Sequence, residues 1–284
     1  MKGYKGFEPG LICRGKQYAE NTVFEEEEAE ICSCGMHFCE NPFDVLDYYG
    51  FTNDNGDFNE FAEVEALDEV KTDNNRKFCT KKLKIGAKLS ISKFINACVD
   101  FAIEKTSTCI ADNKISSGDS AQIGSSGDSA QIGSSGNSAK IGSSGNSAKI
   151  GSSGNSAQIG SSGNSARIGS SGNSAQIGSS GNSAQIGSSG DFAQIGSSGN
   201  SAQIGSSGDF AQIGSSGKDC VICCAGHNSA VKAKKGSWIT LAEWEYSKEK
   251  ERYIPKCVKT EFVDGERIKE DTLYKLIDGE FVEV

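Results

Sequence analysis

The sequence predicts a mainly β protein built around a nonapeptide-repeat β-solenoid with two repeats per coil. Three observations carry this prediction: a nine-residue repeat that never slips in phase, the alternation of apolar and polar residues within it, and the turn-forming residues between its apolar segments. We expect a small α+β N-terminal domain, a capping helix and a C-terminal antiparallel β-meander around the solenoid. The expected boundaries are 1–89 for an acidic head, 90–106 for the amphipathic capping helix, 107–236 for the repeat array and 237–284 for the meander.

The repeat unit is Ala-(Gln/Lys/Arg)-Ile-Gly-Ser-Ser-Gly-(Asn/Asp)-(Ser/Phe), and its isoleucines recur at every ninth position from Ile123 to Ile213. Ser-Ala-Gln-Ile alternates as a strand does, and the Gly-Ser-Ser-Gly-Asn segment tolerates turns and positive φ. Two repeats close a coil around side chains more easily than one, so each coil takes two. A disordered Gly/Ser linker is the alternative, but a linker has no reason to keep isoleucine in phase.

Eleven repeats give about five and a half coils, or a rod of about 26 Å at roughly 4.8 Å per coil. Two alanines and two isoleucines per coil make a thin core. We therefore expect much of the stability to come from continuous backbone pairing and from stacked Ser and Asn ladders.

Departures from the repeat consensus mark a candidate binding surface. Phenylalanine replaces serine in two repeats that are one coil apart, with an aspartate before each, and two cations that are also one coil apart fall on the opposite face. These candidate residues are Asp191, Phe192, Asp209, Phe210, Lys149 and Arg167. Alternation from the neighbouring alanines points both rings outward, which is typical of a contact surface. The alternative is a corner at which the rings fold over the thin core.

The flanking segments have patterns of their own. Apolar residues from Ile91 to Ile103 follow helical spacing after Ser90, and the simplest role of this helix is to cover the first coil. The segment 238–246 alternates as a strand, and Asp264-Gly265 and Asp278-Gly279 are hairpin signals, which together predict the meander with its Trp and Tyr residues in the core. In the head, 61–66 and 81–85 are expected to pair as strands, and a short helix is expected to begin at Pro42.

Charge is concentrated in the segment 1–75, which holds 18 acids and five bases, within a chain of net charge −9. This balance argues against a general nucleic-acid binder. The acidic run Glu25, Glu26, Glu27 and Glu28 is either a solvated edge or a mimic of nucleic-acid charge aimed at a basic groove of another protein. With no apolar run long enough to span a membrane and eleven irregularly spaced cysteines, we expect a cytosolic protein with reduced thiols and no membrane partner.

Two cysteine clusters are possible metal sites. Cys32, Cys34, His37 and Cys39 are weak candidates, because Cys-Ser-Cys fits zinc spacing poorly and no second ligand pair lies nearby. The second cluster consists of Cys220, Cys223, Cys224 and His227. Because Cys220 and Ile222 fall on the Ala and Ile positions of the repeat, we expect degenerate core positions of the last coil here instead of a metal site. We expect no metal, no cofactor and no catalytic residue.

Several segments carry a family resemblance: CRGKQY (13–18), GMHFCENP (35–42), DVLDYY (44–49), FAEVEA (61–66) and KGSW (235–238). Together they resemble a family of uncharacterised phage and prophage proteins in which a tandem Ala/Gly/Ser array lies between similar ends. The resemblance implies a phage origin and hence the host cytoplasm, and it carries over no catalytic residue.

The favoured function is a non-catalytic, phage-encoded protein-binding module that inhibits a host defence or nucleic-acid-handling protein, as an anti-CRISPR protein does. One alternative is a structural or self-associating solenoid that forms a homodimer through the face with Phe192 and Phe210. Another is an ADP-ribosyltransferase-like enzyme, because Arg14, segment 35–38 and Glu63 with Glu65 loosely resemble that family, although its Ser-Thr-Ser segment is absent.

Overall fold

A computed structural model describes residues 1–53, 57–73, 75–106 and 113–284. It contains a β-solenoid of about seven turns over residues 114–241, with a small N-terminal domain and antiparallel strands at the C-terminal end. The predicted fold class is confirmed.

The head consists of a four-stranded antiparallel sheet, order β1-β6-β9-β4, a three-stranded sheet, order β5-β8-β7, and a small hairpin of β2 and β3. Its elements are β1 (Lys2–Phe7), β2 (Ile12–Cys13), β3 (Lys16–Gln17), β4 (Thr22–Glu25), β5 (Met36–Phe38), α1 (Pro42–Val45), β6 (Glu60–Ala66), β7 (Val70–Thr72), β8 (Phe78–Thr80) and β9 (Lys82–Leu89). The expected pairing of β6 with β9 is confirmed by the register Val64 opposite Ile85. The short helix begins at Pro42 as expected, and the Asn41 side chain accepts a hydrogen bond from the Phe43 amide.

The solenoid follows through α2 (Ile91–Thr106) and consists of two parallel sheets whose strands alternate along the chain. Its strands are β10 (Asn113–Ser116), β11 (Gln122–Ser125), β12 (Gln131–Ser134), β13 (Lys140–Ser143), β14 (Lys149–Ser152), β15 (Gln158–Ser161), β16 (Arg167–Ser170), β17 (Gln176–Ser179), β18 (Gln185–Ser188), β19 (Gln194–Ser197), β20 (Gln203–Ser206), β21 (Gln212–Ser215), β22 (Val221–Cys224) and β23 (Ala230–Lys232). Each strand pairs with the strand two repeats later, as in Ile132 opposite Ile150, which confirms two repeats per coil.

Segments outside the perfect repeat extend the rod. Val221–Cys224 pairs in register with Gln203–Ser206. The prediction of core positions is confirmed for Cys220 and Cys224, which are fully buried, and is wrong for Cys223, which is exposed at the outward glycine position. Trp238 then pairs in parallel with Val221. The solenoid therefore continues beyond the expected boundary at residue 236, and the part of the array at 107–112 lies outside the described residues.

The thin core gains a third side chain from each repeat. Isoleucine and alanine point inward, and the last serine of each strand is buried beside them, for example Ser143 and Ser161. The turns are joined by ladders in which each backbone amide donates to a side-chain oxygen one coil earlier, as Asn137 does to Asp119 Oδ1 at 2.8 Å. The expected Asn ladders are therefore present.

Helix α2 is not an end cap. Its residues Ala102, Val99 and Ile95 lie against the glycines of successive coils, so the helix runs along the outer side of one sheet from the first coil onward. Its amphipathic pattern identifies the buried side but not the surface that buries it. The outward glycine of each coil leaves space for a helix backbone, and this decides the position.

The C-terminal part is antiparallel, but it is divided between the two sheets instead of forming one meander. Strand β24 (Trp238–Ser247) and β25 (Arg252–Phe262) extend one sheet, whereas β26 (Leu273–Ile277) and β27 (Glu280–Glu283) extend the other. Asp278-Gly279 forms the expected hairpin turn. Asp264-Gly265 does not join paired strands, because the chain crosses from one sheet to the other after β25.

Candidate functional site

The two sheets of the solenoid have nearly the same sequence but different surroundings. We call the sheet formed by the odd-numbered strands from β11 to β23 the covered sheet, because the head and α2 lie along its outer face. The sheet formed by the even-numbered strands from β10 to β22 is called the open sheet. A Cβ atom added to Gly142 of the covered sheet would lie 2.9 Å from the Ala102 Cβ and 3.0 Å from the Val99 Cα. One added to Gly151 of the open sheet would meet no atom within 4 Å.

Polar side chains of the covered sheet hold the head in place along the rod. Lys140 forms a buried salt bridge with Asp44. Further contacts follow along the same sheet: Gln158 Nε2 donates to Asp47 Oδ1 (2.9 Å), Gln176 Nε2 to the Leu46 carbonyl (3.1 Å), and Thr52 Oγ1 to Gln212 Oε1 (3.0 Å). The row of outward polar residues therefore acts as a docking strip for a segment of this same chain.

The open sheet presents the equivalent row without such partners. Lys149 and Arg167 are exposed neighbours in register, and neither forms a salt bridge within the described residues. Between them and the glycine row runs a shallow trough of about 1160 Å³. The two cations thus lie on the open sheet, whereas the turn that contains Phe192 leads into the covered sheet.

Apolar side chains lie at both ends of this trough. Ile115 is 90% exposed at one end, and Val221 (54%) and Trp238 (49%) are exposed at the other, where the Trp238 ring lies 5.1 Å from that of Phe262. The expectation that Trp238 belongs to the core is wrong. It occupies the first, outward-facing position of its strand, opposite Val221. Only 17 residues separate the two, so the 18-residue period would have placed Trp238 at the inward alanine position, and the repeat alone could not show its exposure.

The two phenylalanines face outward, as the alternation predicts. Their rings stack nearly parallel at 5.0 Å, and Phe192 is 56% exposed. Ring contacts continue from Phe210 edge-to-face to His227 and then to Tyr253 and Tyr246, and we call these five rings the aromatic corner. The expectation that Tyr246 lies in the core is wrong, because its side chain is 55% exposed.

The aspartates beside the phenylalanines serve the turn ladder. Asp191 Oδ1 accepts the Asp209 amide, and Asp209 Oδ1 accepts the His227 amide one coil later. Both carboxylates therefore already have a structural role at the turns.

The acidic run is partly neutralised within the head. Glu25 pairs with Lys82 at 3.0 Å and Glu26 with Lys16 at 2.6 Å, whereas Glu27 and Glu28 are exposed. Only half of the run therefore remains for an outside partner.

The side chains of Cys32, His37 and Cys39 do not converge on one point but have individual surroundings. His37 Nε2 accepts the Cys32 amide at 3.2 Å, and Cys32 Sγ accepts a hydrogen bond from Lys77. Cys39 is buried, and burial raises the pKa of its thiol to about 12. Across the described ranges, no three His, Cys, Asp or Glu residues are grouped so that they could hold a metal ion.

Sequence reasoning missed a pocket of about 270 Å³ in the head, which we call the cationic pocket. Its charged lining residues are Lys5, Arg14, Lys16, Lys77 and Glu26. Three of the five bases in the segment 1–75 therefore converge here. The strand pattern gives Lys5 no special status, because β1 also contains Lys2, and no signal in the sequence shows which of the two lysines is buried.

Lys5 lies at the floor of the cationic pocket and is 5% exposed. Its Nζ donates to the His37 carbonyl at 2.9 Å and to Cys13 Sγ at 3.3 Å, and Tyr49 Oη donates to the same sulfur at 3.2 Å. Burial lowers the pKa of Lys5 and that of His37, and raises the pKa of Tyr49. The floor of the pocket therefore disfavours the protonated forms of Lys5 and His37 unless an anion binds beside them.

The groups of the ADP-ribosyltransferase alternative are not gathered in one site. Arg14 and His37 line the cationic pocket, but Glu63 and Glu65 line a separate depression beside Lys84 and Phe101.

Comparison with known proteins identifies only the head. Residues 1–97 match the model of a family described as a domain of unknown function (DUF7666), and this range contains every residue that lines the cationic pocket. The resemblance to an uncharacterised family is therefore supported for the N-terminal third. No curated protein and no solved structure matches the chain. In the parts of the chain that the structure covers, no helix has the length and apolar character needed to cross a bilayer.

Proposed function

We propose that the protein is a non-catalytic protein-binding module and that its partner docks on the open sheet. One observation carries the proposal. Each sheet has a row of glycines and a row of outward polar residues, and on the covered sheet these two rows hold the head and α2. On the open sheet, nothing in the described chain covers the equivalent rows. The solenoid thus already contains one working example of the contact that the open sheet would make.

The covered sheet also indicates what kind of partner fits. Its glycine row takes the small and β-branched side of α2 and the Phe51 ring, and its Lys140 takes a carboxylate. The partner would therefore be an acidic amphipathic segment, with small apolar residues over the glycines and carboxylates near Lys149 and Arg167. Trp238 and Val221 would supply an apolar anchor at the end of the trough.

In its finer form, the proposal is a phage origin and a host target of the defence or nucleic-acid-handling class, in the host cytoplasm. The resemblance of the terminal segments to phage and prophage proteins supports this form. The exposed Glu27 and Glu28 give the head a further acidic contact for such a target.

A capture experiment with a blocked variant tests the proposal. Tagged wild-type protein, Gly169→Leu and Gly160→Ser would be incubated with bacterial lysate, and the bound proteins would be compared by mass spectrometry. Leucine at Gly169 fills the trough of the open sheet, where an added Cβ meets nothing within 4 Å, so the fold is expected to tolerate it. A partner lost from Gly169→Leu and retained by Gly160→Ser would support the proposal. Equal capture by all three proteins would contradict it.

Self-association is a second candidate, and the exposed aromatic corner favours it, because exposed stacked rings are typical of contact surfaces. A homodimer through this corner should dissociate in Phe210→Ser, which restores the consensus residue. Size-exclusion chromatography with light scattering measures this directly. A monomer in both proteins would remove the homodimer.

A further inference from the structure

The cationic pocket is the strongest feature that the proposed function leaves unused. The head carries many more acids than bases, and yet four of its bases line one cavity. Lys16 is balanced by Glu26 at 2.6 Å. Lys5 and Arg14 form no salt bridge within the described residues, and Lys77 adds a further cation at the rim, 4.8 Å from the centre of the Tyr48 ring.

A buried ammonium without a carboxylate is costly, because its hydration is lost and no opposite charge replaces it. Lys5 has two hydrogen-bond acceptors, the His37 carbonyl and the Cys13 sulfur, and neither is a carboxylate. An anion in the cavity would supply the missing charge. A guanidinium such as that of Arg14 suits phosphate well, since it offers two parallel donors.

We infer that the cationic pocket binds a small phosphate monoester. The phosphate group balances the charges of Lys5 and Arg14, and the aromatic and apolar walls formed by Phe38, Val45, Tyr48 and Tyr49 hold the organic part. Because the pocket belongs entirely to the head, this inference does not depend on the open sheet.

Cys13 provides a direct readout of binding. It lies in the pocket and is half-buried, whereas Cys223, far along the solenoid, is exposed and serves as an internal control. The folded protein would be treated with iodoacetamide with and without phenyl phosphate or inorganic phosphate, and labelling of each cysteine would be measured by mass spectrometry. We expect phenyl phosphate to protect Cys13 at lower concentration than inorganic phosphate, with no effect on Cys223.

Charge variants separate the pocket from general ionic effects. Arg14→Gln and Lys77→Gln should each weaken phenyl phosphate binding about tenfold, as expected for the loss of one charge-assisted contact. Lys81→Gln, an exposed lysine of the same domain outside the pocket, should leave it unchanged. Equal protection of Cys13 by phenyl phosphate and inorganic phosphate would contradict the inference that the ligand is an ester. Protection that Arg14→Gln and Lys77→Gln leave unchanged would contradict the assignment of the binding site to the cationic pocket.

Discussion

Lys140 and Lys149 stand in identical repeats, Ala-Lys-Ile-Gly-Ser-Ser-Gly-Asn, but their surroundings are opposite. Lys140 is buried against Asp44, and Lys149 is exposed on the open sheet. No local pattern distinguishes them, because the difference comes from the head that packs against one sheet only. At the residue scale, position in the coil decides the role.

This contrast gives a matched stability test. Lys140→Gln leaves Asp44 buried with Arg76 as its remaining cation, so we expect a loss of about 2 kcal/mol in the free energy of unfolding. Lys149→Gln should change it by less than about 0.5 kcal/mol, as is usual for a surface position. Urea denaturation measures both, and equal losses would contradict the assignment of the two faces.

His37 predicts an acid-sensitive head. Burial holds its pKa below the ordinary value, so the unfolded chain binds a proton more readily than the folded one. The stability that neutral His37 contributes is therefore present above the unfolded pKa of about 6.5 and is lost as the pH falls from there towards the folded pKa. Protonation would also break the bond from the Cys32 amide to Nε2.

The measurement is the melting temperature between pH 7.5 and 5.5. We expect a fall in wild-type protein and a smaller fall in His37→Gln. An identical pH profile for wild type and His37→Gln would show that another group is responsible.

Helix α2 shows what an element's sequence can and cannot predict. The expected range 90–106, drawn from the apolar spacing between Ile91 and Ile103 and from Ser90 as N-cap, agrees within one residue with the helix Ile91–Thr106. Periodicity cannot name the surface that receives the apolar side. That surface is a row of glycines contributed one per coil, and it exists only after the coils have stacked.

Glycines of two strands that are consecutive in the chain but lie on opposite sheets test this packing. Gly142→Ala places a methyl group 3.0 Å from the Val99 backbone, and we expect a loss of about 1–3 kcal/mol through overpacking. Gly151→Ala, in the same sequence context on the open sheet, should be neutral. Thermal unfolding of both variants checks this, and a neutral Gly142→Ala would argue against α2 on that face.

At the scale of the whole molecule, the head and the rod are matched in length. Contacts between the head and the rod begin with the salt bridge of Lys140 with Asp44. They end with that of Lys232 with Asp57, in which Lys232 Nζ lies 3.2 Å from Asp57 Oδ1. Deleting one coil, residues 147–164, keeps the repeat in phase but shortens the distance between these two anchors by about 4.8 Å. We expect the second ion pair to break.

Whether the ion pair breaks is shown by the non-additivity of the effects of Lys232→Gln and of the coil deletion on the melting temperature. Lys232→Gln should lower the melting temperature of the full-length chain but have little effect in the deletion variant, where the pair is already lost. The same loss in both backgrounds would show that the head does not span the coils as a rigid unit.

The strict isoleucine period was sufficient to predict the coil, the register and the ladders, because each follows from a spacing of two repeats. The extra coils, the lateral helix and the divided C-terminal strands were not predictable in this way. Val221 occupies a repeat position without resembling the repeat, and Trp238 follows it after 17 residues, one short of the 18-residue period. The cationic pocket gathers Lys5, Arg14 and Lys77 from separate segments that only the tertiary fold brings together.

The central claim is that the open sheet can receive what the covered sheet already holds. Its most direct test is the titration of wild-type protein with a fluorescent peptide of residues 90–106, the sequence of α2 with its Ser90 N-cap, followed by anisotropy. We predict saturable binding that Gly169→Leu abolishes and that the exposed-residue control Lys81→Gln leaves unchanged. Absence of binding, or binding that persists in Gly169→Leu, would contradict the claim.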